Sequence, residues 1–160
     1  MRYDSGMSRP NRGDRVPAFE MSADDGQLVS DQSLLGRRYL LYFYPKDNTP
    51  GCTTQACSLR DNFERMLATG VEIFGVSPDS VQSHVRFREK YDLPHRLLSD
   101  QGHAVAEAFG VWVEKTFVGK TYMGTERTTF IIGPDGQVEH VLPRVKPAEH
   151  VDQLMELLAA

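Results

Sequence analysis

Six consecutive apolar or aromatic residues, Tyr39-Leu40-Leu41-Tyr42-Phe43-Tyr44, end abruptly at Pro45. A strand with one wet face alternates apolar and polar side chains, whereas an unbroken run of this length needs cover on both faces. The run therefore predicts a central strand between two packed layers. Val71-Glu72-Ile73-Phe74-Gly75-Val76 is a second stretch of the same kind. Between the two, a polar, turn-rich loop from Lys46 to Gly51 leads into Thr53 to Ala68, where Leu59, Phe63, Met66 and Leu67 recur at helical spacing.

The flanking segments fill in around that strand–helix–strand centre. FEMS and QLVS surround the turn signal Asp24-Asp25-Gly26, predicting a hairpin over Phe19 to Ser30. Pro78 and Asp79 open a second helix with Val81, Val85, Phe87 and Tyr91 as its apolar positions. A short strand at Leu97-Leu98 precedes a helix from His103 to Phe109. Thr128 to Ile132 and Gln137 to Val141 flank Gly133-Pro134-Asp135-Gly136 as a second hairpin, and Pro147 starts a closing amphipathic helix through Leu158. The order hairpin, βαβαβ-like half, hairpin, helix places the chain in the α/β class, with a mixed central sheet flanked by helices. It is the order expected of a thioredoxin-like fold with an N-terminal β-hairpin.

With 160 residues, 40% of them hydrophobic, residues 15–160 suffice for one domain with its own core. Residues 1–14 read as a polar, disordered lead-in, and Met7 competes with Met1 as the biological start. That lead-in is basic but has no apolar core of a secretory signal, so a cytoplasmic location is expected. The stretches of apolar residues are strand-sized and predict no membrane span. Eighteen basic against 22 acidic side chains give a net charge of -4, a balance that argues against nucleic acid as a partner. No G-x-G-x-x-G or Walker string implies a nucleotide cofactor. His84, His95, His103, His140 and His150 lack metal-site spacing and read as surface or helix residues, so no metal is expected. Trp112, Phe109 and Phe117 read as core and loop packing, and Tyr44 as strand core able to line a substrate entrance.

Only two cysteines are present, Cys52 and Cys57. In a reducing compartment a lasting structural bridge over so short a loop is not expected, which leaves catalysis, redox sensing or plain burial. The segment YFYPKDNTPGCTTQACSLR, Tyr42 to Arg60, sharpens the choice. It puts Cys52 at the first turn of a helix, directly after a strand and a rigid Thr-Pro-Gly turn. The unpaired amides and positive dipole end at a helix start favour a thiolate, the nucleophilic form of a thiol. The same amides, expected to be those of Gly51 and Cys52, can hold a polarised oxygen beside the sulfur.

Pro45, Thr49 and Cys52 stand in the spacing P-x-x-x-T-x-x-C, which resembles the active-site signature of the peroxiredoxins. The string YPKDNTPGCTTQAC is similar to the bacterioferritin-comigratory-protein, or peroxiredoxin Q, branch. The likeness continues through GVWVEKTFVGKTYMGTERTTFIIGPDG, Gly110 to Gly136, and covers nearly everything after Asp14. The resemblance implies a thiol peroxidase for hydrogen peroxide and organic hydroperoxides. In it Cys52 attacks the peroxide, Thr49 steers it, Pro45 shields the site and Arg127 stabilises thiolate and substrate. Cys57 matches the resolving cysteine of an atypical 2-Cys cycle, recycled by thioredoxin or glutaredoxin in a monomer or weak dimer. One departure is Gln55, where many peroxiredoxins carry a glutamate; it keeps the hydrogen bonding and loses the charge. Two other readings stay open: a thioredoxin-like disulfide oxidoreductase or redox sensor, and a binding module with incidental cysteines. C-x-x-x-x-C spacing in place of C-x-x-C argues against the first.

The spacing of the two cysteines carries a mechanical expectation. Five helical residues advance about 7.5 Å along the axis. A disulfide tolerates Cα atoms at most ~7 Å apart with converging side chains. A Cys52–Cys57 bond would therefore require the first turn of the helix to unwind, which β-branched Thr53 and Thr54 would ease.

Overall fold

A computed structural model of the chain describes residues 9–158. Residues 1–8 of the expected lead-in lie outside the described residues. Its remaining part is held: the Gly13 amide donates to the Val138 carbonyl at 2.8 Å, and the Val138 amide to the Asp14 carbonyl at 2.8 Å. Pro10 is buried, and Arg9 pairs with Glu126 at 3.0 Å. Residues 9–14, ahead of the expected boundary at residue 15, thus find partners for these backbone groups on a neighbouring strand.

The N-terminal hairpin forms from β1 (Glu20–Ala23) and β2 (Leu28–Ser30). The buried runs become β3 (Arg38–Phe43) and β4 (Val71–Ser77), which pair in parallel, and β5 (Arg96–Ser99) joins β4 in parallel. β8 (Thr128–Ile132) pairs antiparallel with β3, and β9 (Val138–Leu142) antiparallel with β8. The sheet order is β2-β1-β5-β4-β3-β8-β9, mixed and seven-stranded, with β3 near its middle.

Strand alternation sorts the side chains of β3 into two cores. Tyr39, Leu41 and Phe43 join Phe19, Phe74, Phe109 and Phe130 on one face. Leu40, Tyr42 and Tyr44 join Cys52, Ala56, Leu59, Phe87 and Leu154 on the other. That second face is covered by α1 (Pro50–Asp61), α3 (Val81–Tyr91) and α5 (His150–Leu158), while α4 (Ala104–Ala108) packs on the first. Gly75 on β4 makes room: a Cβ there would sit 2.8 Å from the Tyr42 ring and hydroxyl.

Three local expectations change. The single helix over Thr53 to Ala68 starts earlier and divides at Asn62 into α1 and α2 (Phe63–Leu67). The Asn62 side chain donates to the Ser58 carbonyl at 2.9 Å, taking the acceptor its own amide would use, and that amide turns to Leu59. Phe117 is not core or loop packing. It is 70% exposed at the tip of a separate hairpin, β6 (Trp112–Phe117) with β7 (Lys120–Thr125). That hairpin carries no alternating apolar signal, and its turn puts Val118 rather than asparagine at positive φ, ahead of Gly119. Tyr44, finally, is buried and stacks on Tyr42, with its hydroxyl bonded to Asp47, so it lines no entrance.

Candidate active site

The site is assembled where β3 ends. After Tyr44 the chain passes half-buried Pro45 and turns through Asn48, whose positive φ asparagine tolerates. It reaches Thr49 as the N-cap of α1, in extended conformation, with Pro50 at the first helical position. Proline has no amide hydrogen, so the orphan donors of this first turn are the Gly51 and Cys52 amides. An N-cap threonine ordinarily turns its hydroxyl back to such amides. Thr49 does not: its hydroxyl donates to the Lys46 carbonyl at 2.9 Å, and it makes no cap bond. Two amides and the lone pairs of Thr49 are left facing the start of the helix.

Cys52, Gln55, Ala56 and Leu59 form the buried stripe of α1. The Cys52 side chain is 1% exposed, yet the Arg127 Nη2 group donates to its sulfur at 3.1 Å. Arg127 lies in the short connection between β7 and β8, where its carbonyl accepts from the Val145 amide at 2.8 Å. Its other arm, Nη1, donates to Gln55 Oε1 at 2.9 Å. The guanidinium fork thus spans sulfur and amide, a geometry a lysine ammonium does not offer. Gly51 allows the approach, because a Cβ there would stand 2.9 Å from Arg127 Nη2.

The geometry reaches further than the motif. Gln55 Nε2 lies 3.1 Å from His150 Nδ1, and His150 Nε2 lies 2.8 Å from the Thr129 hydroxyl. Burial, aided by the Arg127 charge, lowers the His150 pKa to about 3, so the ring is neutral. On the opposite side, buried Asp47 fixes the Pro45–Thr49 loop. It accepts from the Tyr44 hydroxyl at 2.5 Å, the Ser83 hydroxyl at 2.8 Å and His84 Nδ1 at 2.7 Å, while its amide donates to Asp79 at 2.8 Å. His84 Nε2 in turn donates to the Leu98 carbonyl at 3.0 Å.

Cys52, Arg127 and Gln55 are therefore brought into direct contact, with Thr49 at the cap of the same helix. Cys57 is half-buried on α1, off the Cys52 stripe, and both thiols are free. Of the histidines expected to be surface or helix residues, His84 and His150 do lie on helices, α3 and α5, but with buried side chains, and His95 is buried just ahead of β5, on neither surface nor helix. Helical spacing held the signal. His84, Phe87 and Tyr91 share one face of α3, and His150, Leu154 and Leu158 one face of α5. Asp47 has no comparable signal, since a loop aspartate ordinarily faces water.

A thiol at a helix start, bridged by a guanidinium and flanked by open amides, is equipped to act as a nucleophile. The model of the AhpC/TSA family matches residues 12–141. The chain belongs to that family: it is a peroxiredoxin. Peroxiredoxin Bcp of Escherichia coli (strain K12) is 47% identical over 146 residues, spanning 91% of this chain and 94% of that one. Peroxiredoxin Bcp of Bacillus subtilis (strain 168) is 44% identical, spanning 91% and 93%. Among solved structures, the bacterioferritin comigratory protein of Xanthomonas campestris was trapped in intermediate and ligand complexes bearing on its alkyl peroxide reduction activity. It superposes with a TM-score of 0.83 at 37% identity, covering 88% of this chain and 90% of that one. The peroxiredoxin has the thioredoxin-like fold expected from its element order, and its activity is that of a peroxidase. Among the described residues no helix is long and apolar enough to cross a membrane.

Proposed function

We propose that this peroxiredoxin reduces hydrogen peroxide and organic hydroperoxides with Cys52 as nucleophile and Cys57 as the internal resolving thiol. The observation that carries the reading is the Arg127 hydrogen bond to the Cys52 sulfur at a helix start. The thiolate attacks the terminal peroxide oxygen; an S–O bond forms, the O–O bond breaks, and the departing oxygen takes a proton to leave as water or alcohol. Thr49 has committed its own hydrogen to Lys46, so it meets the peroxide O–H as an acceptor. Arg127 and the Gly51 and Cys52 amides stabilise the charge that shifts onto oxygen in the transition state. Pro45 keeps bulk water from the sulfur. The alkyl peroxide reduction activity of the Xanthomonas relative supports organic peroxides as substrates.

Cys52 is left as a sulfenic acid. The Cys57 sulfur displaces its hydroxyl as water, and a dithiol of the thioredoxin or glutaredoxin class reduces the resulting disulfide. Both cysteines lie within one unbroken helix, α1, so the bond forms only when the first turn opens. An internal resolving thiol needs no second subunit, which fits a monomer or weak dimer. Reduction by such dithiols fits the cytoplasm.

Intact mass after one equivalent of peroxide tests the reading. Wild type should lose two hydrogens. Cys57→Ser should gain one oxygen, trappable by dimedone, and over-oxidise with excess peroxide. Cys52→Ser should gain nothing and turn over no peroxide. A Cys52→Ser protein keeping more than about a tenth of wild-type turnover overturns the nucleophile, since losing the attacking group costs orders of magnitude. A disulfide-linked dimer as the main wild-type product overturns internal resolution.

A further inference from the structure

Arg127 presents hydrogen-bond donors on every arm, so it needs an acceptor from Gln55. A glutamine amide has one acceptor end and one donor end, and nothing in its shape decides which end faces the arginine. If the NH₂ end faced Arg127, two donors would collide and the fork would lose its second anchor. The deciding group lies on the far side of the amide, and it is His150. With Oε1 toward Arg127, Nε2 points at His150 Nδ1, 3.1 Å away. That nitrogen accepts only if it carries no hydrogen. The neutral ring then holds its hydrogen on Nε2, where the Thr129 hydroxyl accepts at 2.8 Å.

We propose that His150 is a positioning residue for peroxide reduction: as a neutral Nε2–H tautomer it orients the Gln55 amide so that Arg127 is held against the Cys52 sulfur. The inference rests on the peroxidatic role of Cys52 given above. Its parts come from four places, the helix of the cysteine, the β7–β8 connection, β8 and the start of α5. His150 is fully buried, and its lowered pKa keeps it neutral throughout the physiological range. The 3₁₀ turn ahead of it, Pro147–Glu149, packs Pro147 near Gly51, where a Cβ would lie 3.6 Å from the Pro147 ring. The last helix is thereby seated on the first turn of α1. A protein with glutamate in place of Gln55 would need no such device, because both ends of a carboxylate accept. The inference therefore accounts for how a neutral residue can serve at this position.

The test is a double-mutant cycle on the rate at which peroxide oxidises Cys52, followed by rapid quenching, thiol alkylation and intact mass. His150→Leu keeps the bulk and removes the acceptor; it should slow oxidation about tenfold, equivalent to about 1.4 kcal/mol. Combined with Gln55→Glu, the same change should cost less than about threefold, because the carboxylate has no wrong end. His150→Asn, whose Oδ1 takes the place of Nδ1, should recover most of the wild-type rate. Equal slowing by His150→Leu in both backgrounds, or equal slowing by His150→Leu and His150→Asn, overturns the inference and marks His150 as packing. If His150→Leu does not fold, the ¹⁵N spectrum of the wild-type imidazole decides: hydrogen on Nε2 supports the role, and hydrogen on Nδ1 excludes it. Should wild-type Cys52 itself resist peroxide while the spectrum shows the Nε2–H tautomer, the reading of Cys52 fails and the amide-orienting contact stands.

Discussion

Two fully buried histidines, His150 and His84, belong to the hydrogen-bond networks around Cys52 and the Pro45–Thr49 loop, and their neighbours differ in polarity. His150 has a donor at one nitrogen, the Gln55 amide, and a hydroxyl at the other, so one hydrogen suffices and the ring is neutral. His84 meets the Asp47 carboxyl group at one nitrogen and the Leu98 carbonyl at the other. The difference maps onto two tasks. The His84 pair is a structural anchor that ties the loop bearing Pro45 and Thr49 to α3 and β5. The His150 chain is a polar relay that ends on the guanidinium touching sulfur. Burial alone therefore does not assign a task to a histidine; the polarity of each facing partner does.

The largest expected effect lies on the anchor side. His84→Leu removes one partner of the buried His84–Asp47 pair and leaves the Asp47 carboxyl group with its two hydroxyl donors, Tyr44 and Ser83. Loss of one partner of such a pair costs about 3–5 kcal/mol. Denaturant unfolding should show a loss near the low end of that range, with faster amide exchange over residues 46–49. A destabilisation below about 1 kcal/mol, the size of an ordinary hydrogen bond, would erase the distinction between anchor and relay.

A second effect separates the two sides by rate. Thr49→Val on the anchored loop and Arg127→Ala at the end of the relay should each slow Cys52 oxidation about a hundredfold, about 2.7 kcal/mol, with little change in unfolding. Arg127→Lys should recover little, because a single ammonium cannot reach sulfur and Gln55 together. Stopped-flow rates matching wild type in either variant would remove that residue from the chemistry.

Much of this is legible in the sequence. The unbroken run at Tyr39 to Tyr44 predicts a strand with two covered faces, and β3 supplies both cores. The strand end and Thr-Pro-Gly turn put Cys52 at or near a helix start, and the helix begins two residues ahead of it, at Pro50. Arg127 is different: its residue type and local setting suit a surface hairpin arginine, and only the wider resemblance singles it out. The partners of Gln55 and Asp47 are illegible for a physical reason. They lie 95 and 37 residues away, and such pairings are fixed by how the sheet folds, not by local propensity. The β6–β7 hairpin escaped because its side chains are mostly exposed on both faces, leaving no period to read.

The smallest effect sharpens the comparison through acid. His150 and His95 both have pKa values lowered to about 3, mainly by burial, with the Arg127 charge acting on His150 and Arg88 and His150 on His95. In the unfolded chain a histidine titrates near ~6.5. Between those two values the unfolded state binds a proton that the folded state refuses, so folding stability falls as pH drops. The contribution is complete above about pH 6.5 and is lost progressively toward pH 3, at about 1.4 kcal/mol per pH unit for each histidine in mid-window. Carboxylates contribute to the same curve, so the informative quantity is the difference between proteins. His150→Asn removes a ring that resists protonation, and its stability curve between pH 4 and 6 should be shallower than wild type by about 1.4 kcal/mol per unit. His95 and His150 oppose each other's charging, so the double variant should flatten the curve by somewhat less than the sum of the singles. Parallel curves for wild type and His150→Asn would mean that His150 is protonated in the folded protein. That outcome would leave Gln55 without an acceptor to orient it.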